Sequence, residues 1–153
     1  MANLEDQAQP ALERLLQSEP DQLFAELGLR QKAIENDPAQ AWLFETTATY
    51  DAPFAGPLDV LKEFGQRFFD RVSKDVYNLV CGDDRENAAE RKKLLDALGL
   101  GDVAFAGVLT SVLVSSFGWA PAIATVVAAL VVKLFFKNAH AAMCEVWKKR
   151  LPP

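Results

Sequence analysis

The chain offers few side chains that could act as nucleophiles or soft ligands. His140 is its single histidine, and Cys81 and Cys144 are its two cysteines. His140 and Cys144 stand four residues apart, which puts both on one face of a helix, and Cys81 could join them in three dimensions. Three such ligands could hold zinc, and a thiolate activated by an imidazole could act as a nucleophile. Neither a CxxC nor a HxxxH pair accompanies them, and nothing else in the chain suggests a substrate cleft. A packed thiol on a helix is the plainer reading, so no metal, cofactor or catalytic residue is assigned. The opening MANLEDQAQP lacks the basic and apolar run of a secretory signal. Two reduced thiols are therefore expected, with a single disulfide as the alternative.

Two further clusters invite chemistry and do not sustain it. Asp83-Asp84-Arg85-Glu86 lacks the alternating oxygen ligands of a calcium loop. A helix start needs such acids, and Asp83 or Asp84 is expected to cap one. Gly99-Leu100-Gly101 has neither the further glycine nor the lysine of a phosphate-binding loop and reads as a hinge. The chain is accordingly expected to be a non-enzyme without a small-molecule substrate.

These residues must be positioned by helices. The 153 residues are half apolar and about a quarter charged, a globular composition. The net charge of −5 conceals a gradient. Residues 1–60 carry eleven acids against Arg14, Arg30 and Lys32; residues 61–101 balance at eight each. Residues 102–153 carry Asp102 and Glu145 against Lys133, Lys137, Lys148, Lys149 and Arg150. An acidic head with a short basic tail excludes a nucleic-acid groove, which needs a broad basic face. The cations flanking an apolar segment suit an anionic lipid surface. The expected location is cytoplasmic, in contact with the inner face of a membrane.

Apolar spacing predicts a helix over 4–17 with Leu12, Leu15 and Leu16 on one face, closed by Pro20. A second is predicted over 21–36, capped by Asp21 and weakened at Gly28. Pro38 permits another turn carrying Trp42, Leu43 and Phe44, and 46–57 reads as a connector. From Leu58 to Val80, Leu61, Phe64, Phe68, Val72, Val76 and Leu79 recur every three or four residues, a clear amphipathic stripe. Another helix runs to Leu98, where Gly99 stops it.

From Val103 to Val132, thirty consecutive residues carry no charged side chain. Gly118 and Pro121 interrupt the run, predicting one helix over 103–117 and a second from 121 to about 147. Gly107, Ser111 and Ser115 on the first, and Ala120, Ala124 and Ala128 on the second, repeat every four positions and would let two backbones approach closely. Fifteen residues span only about 22 Å, short of a hydrocarbon core of about 30 Å. A shallow re-entrant hairpin or a buried one fits better than a spanning pair. Lys133, Lys137, His140, Cys144 and Lys148 share one face of the last helix, with Phe136, Met143 and Trp147 on another, the pattern of a basic helix on lipid headgroups or in a partner's groove.

The expected fold is all-α: a bundle of amphipathic helices with a C-terminal hydrophobic helical hairpin. Residues 1–101 form the acidic helical region and 102–153 the hairpin with its basic end, within one folding unit. In layout over 103–147 the chain resembles pore-forming colicin domains and proteins of the Bcl family, which keep a hydrophobic hairpin inside a helical bundle and release it to a bilayer. The resemblance rests on no shared motif. It implies a hairpin that anchors in or perturbs a membrane. Contact with lipid or a partner would fall to Val103, Phe105, Val112, Phe117, Trp119, Val126, Val127, Lys133, Phe136, Lys137 and Trp147. The alternative is a protein–protein interaction module or homo-oligomer that keeps the hairpin in its core.

Overall fold

The computed structural model describes residues 3–137 and 139–152. They form an all-helical bundle with no strand among them: α1 (Leu4–Leu15), α2 (Pro20–Asn36), a short 3-10 helix (Pro38–Trp42), α3 (Leu58–Cys81), α4 (Ala88–Leu98), α5 (Asp102–Ser115), α6 (Pro121–Phe135) and α7 (His140–Lys149).

The helix ends follow local chemistry. Asn3 caps α1, its side chain accepting from the Asp6 N–H at 2.8 Å. Pro20, rather than the expected Asp21, opens α2, with the Gln22 side chain reaching back to the Glu19 N–H at 3.0 Å. Asp84 serves the loop before α4 instead of capping that helix: its carboxylate accepts from the Asn87 N–H and amide and from Arg91. Arg91 in turn donates to the carbonyls of Asn78, Leu79 and Asp84. One guanidinium thus closes the C-terminus of α3, where helical carbonyls lack partners.

Gly28 has a packing role that its poor helix propensity conceals. α2 and α3 cross so closely that a Cβ at Gly28 would land on the Leu61 carbonyl oxygen, and one at Gly65 on that of Phe24.

α6 is the centre of the molecule. Every residue from Pro121 to Val132 is buried, as is Phe135, because α1, α2, α5, α7 and the 3-10 helix surround it. The buried hydroxyls of Thr110 and Thr125 bond carbonyls one turn back, those of Ala106 and Pro121, at 2.8 and 3.0 Å, so neither interrupts the apolar packing. A smaller cluster of Leu29, Ala55 and Leu61 sits under the connector.

The expected continuous helix from 121 to about 147 is not formed. α6 ends at Phe135, and α7 leaves at 97° to it. Phe136 and Ala139 have extended backbones (ψ 127° and 123°). A straight helix would hold Met143 and Trp147 away from the bundle; the bend buries both completely. Removing that apolar surface from water is worth several kcal/mol, at roughly 25 cal/mol per Å², which offsets the few helical hydrogen bonds forgone.

Candidate functional site

The tip of the hairpin is where its apolar surface reaches solvent. α5 and α6 pack together across the turn 116–120, in which Gly118 adopts φ +72° and the Trp119 N–H donates to the Leu113 carbonyl at 3.0 Å. Phe117 is 44% exposed. Trp119 is half-buried, its ring edge-on to Phe68 of α3 at 6.4 Å between centroids. A cavity of about 330 Å³ beside the tip is lined by Val76, Leu79, Leu113, Phe117 and Trp119, with Asp75, Asn78 and Asn87 at its polar side.

The other contact residues read from the sequence divide by depth. Lys133 and Lys137 are exposed, while Val103 and Phe136 are half-buried. Phe105, Val112, Val126, Val127 and Trp147 lie in the core; lipid or a partner could touch them only after the bundle opens. Of the small residues, Ala124 and Ala128 are fully buried and Ser111 half-buried. Ser115 is exposed and donates to the Ser111 carbonyl. Gly107 faces α1, where Glu5 Cβ would be its nearest neighbour at 3.8 Å. The ridge on α5 therefore admits α1 as well as α6. Among the described residues no single helix is long and apolar enough to cross a membrane; α6 and α7 reach that length and composition only as a bent pair.

A buried charge pins the first turn of α6, just beyond the tip. Arg30 is fully buried: Nε donates to Glu26 at 2.9 Å, and Nη1 donates to the Phe44 carbonyl, the Ala122 carbonyl and Thr125 Oγ1 at 2.6, 2.9 and 3.0 Å. Burial pushes the guanidinium pKa down, and Glu26 opposes that shift. The Tyr50 hydroxyl donates to the other Glu26 oxygen at 2.8 Å; burial and the Glu26 charge both push its pKa up. This network ties α2 and the connector to the first turn of α6. The Glu26–Arg30 spacing of four was its only signal in the sequence, and it did not reveal burial.

The sulfur cluster corrects the expectation of reduced thiols. Cys81 and Cys144 form a disulfide, with Cα atoms 5.8 Å apart. α3 ends at Cys81 and the bend of α7 brings Cys144 to it, within bonding reach. His140 Nε2 lies 2.9 Å from the Val80 carbonyl and 3.3 Å from Cys144 Sγ. Ligand atoms of Cys81, His140 and Cys144 all lie within 4.8 Å of one another, a spacing a soft metal could use. The disulfide occupies both sulfurs, which leaves His140 as the lone donor.

A cleft of about 680 Å³ opens between α1, the start of α2 and the start of α3. Among its charged side chains Lys62 pairs with Asp21 at 3.1 Å, Arg14 with Glu45, and Glu26 with Arg30. No protein family, characterised protein or solved structure matches this chain.

Proposed function

We propose that this is a non-enzymatic membrane-associating protein that stores an uncharged helical hairpin in a helical bundle and presents its tip to a bilayer. The observation that carries this reading is the continuity of the 103–132 run with Phe117, which stands exposed at its turn. An exposed aromatic at an uncharged turn is suited to the headgroup boundary, where such rings collect. Lys133 and Lys137, both exposed, would face anionic headgroups once α6 approaches the surface. The action is anchoring or perturbing a membrane, at the cytoplasmic face, with no turnover.

Flotation with vesicles of phosphatidylserine and phosphatidylcholine tests this. The chain should rise with the vesicles, and the substitution Phe117→Asp should sharply reduce recovery while leaving the circular dichroism unchanged. Full recovery of the unaltered chain in the lipid-free fraction at every anionic content would overturn the reading.

A second reading is an interaction module or homo-oligomer that never releases the hairpin, and the burial of every α6 residue from Pro121 to Val132 within one chain favours it. Its mark would be a monodisperse species without detergent, with Trp119 quenched equally with and without vesicles.

A further inference from the structure

We infer that Cys81 and Cys144 form a redox-active site, with dithiols as its reductant class, Cys144 as the leaving and attacking sulfur, and His140 as the residue that positions and stabilises it. The inference is independent of membrane binding.

Three observations carry it. The first is the direction of the His140 hydrogen. A backbone carbonyl only accepts, so the 2.9 Å contact with the Val80 oxygen places a hydrogen on Nε2. Cys144 Sγ stands 3.3 Å from that same nitrogen. That one hydrogen is given to Val80 in the disulfide form, and a charge left on Cys144 would draw it into a shared bond, a help that Cys81 lacks; the pair is therefore unequal.

The second is access. Cys81, His140 and Cys144 are each half-buried, and the neighbouring Ala141, Ala142 and Glu145 on α7 are exposed. Half-burial of all three side chains is the degree of exposure that a small dithiol attacking Cys81 would need.

The third is what the bond joins. Among the described residues α7 packs mainly on α3 and α6, through Met143, Trp147 and the disulfide. The bridge closes a loop across 63 residues, so its state governs how tightly α7 is held.

The chemistry balances as ordinary exchange. One thiolate of the reductant attacks Cys81 Sγ. The disulfide breaks, and its electron pair leaves on Cys144 Sγ, facing the His140 N–H. The reductant's second thiolate then attacks its own sulfur in the mixed disulfide and expels Cys81. Two electrons and the protons of two thiols pass to Cys81 and Cys144, and the reductant closes as a disulfide. Run backwards, Cys144 attacks a mixed disulfide at Cys81.

The experiment uses the full oxidised chain, mixed with dithiothreitol at neutral pH without denaturant and quenched by alkylation for mass measurement. Reduction should be complete and first order in dithiothreitol. His140→Ala should slow it by about tenfold, the scale of a lost hydrogen bond to a charged group, and His140→Gln, which restores an N–H, should recover part of the rate. Unfolding midpoints of the oxidised variants in urea control for packing. His140→Ala reacting as fast as the unaltered chain would overturn the proposal. Reduction at a rate independent of dithiothreitol and set by global unfolding would overturn it equally, since the bridge would then be a closed structural bond.

Discussion

Trp147 lies face to face with Phe135, ring centroids 4.9 Å apart and planes within 10°, although a 97° bend separates the helices that carry them. The indole N–H donates to Ser73 Oγ at 3.0 Å, and Tyr77 meets the ring edge-on. The contact sets where the basic end of the chain goes: with the indole docked between α3 and α6, Lys148 and Lys149 are held outside and exposed.

Trp147→Ala should therefore cost about 3–5 kcal/mol, the scale for a large aromatic lost from a packed core. Urea unfolding of the oxidised chain measures it. Trp147→Phe should cost less, keeping the stack while leaving Ser73 without its partner.

Arg30 supplies a contrasting prediction. Arg30→Ala should destabilise by about 3–5 kcal/mol, because it takes the ionic partner from Glu26 and the guanidinium donor from the carbonyls of Phe44 and Ala122. Hydrogen exchange should rise first in the opening turn of α6, which this guanidinium holds.

Gly28→Ala is expected to destabilise where a helix scale alone predicts a gain. Alanine is the better helix former, but the added methyl would collide with the Leu61 carbonyl. Forcing α2 and α3 apart should cost at the upper end of about 1–3 kcal/mol, read as a lower unfolding midpoint.

Acid should act through Asp84. Its hydrogen bond to Arg91 holds the carboxyl below its ordinary value of 3.8. A depressed folded pKa means stabilisation that is present above about pH 4 and lost as pH falls through the lower folded value. Asp84→Asn should flatten that part of the stability–pH curve. An unchanged curve would assign the acid sensitivity to other carboxylates.

The chain's own pattern determined the helical class and most element boundaries. Proline and glycine positions punctuate the helices, and the stripe from Leu61 to Leu79 shares its two ends, Leu61 and Val76 with Leu79, with the face that α3 buries. Between them the buried face runs one residue on, through Gly65, Phe69 and Ser73, and leaves Phe64, Phe68 and Val72 half-buried. The uncharged run marked the segment that must be kept dry. Helical periodicity is local, so it is written in consecutive residues. What it could not encode is where a helix turns to serve distant partners. The stretch after Phe135 has apolar residues at helical spacing and reads as more helix; only Ser73, Tyr77 and Cys81, more than fifty residues earlier, make bending worthwhile. The disulfide, the buried Arg30 and the glycine crossing of α2 with α3 share that origin. Each depends on backbones brought together by the core as a whole, and the energy of such contacts belongs to pairs far apart in the chain, which spacing along the sequence does not record.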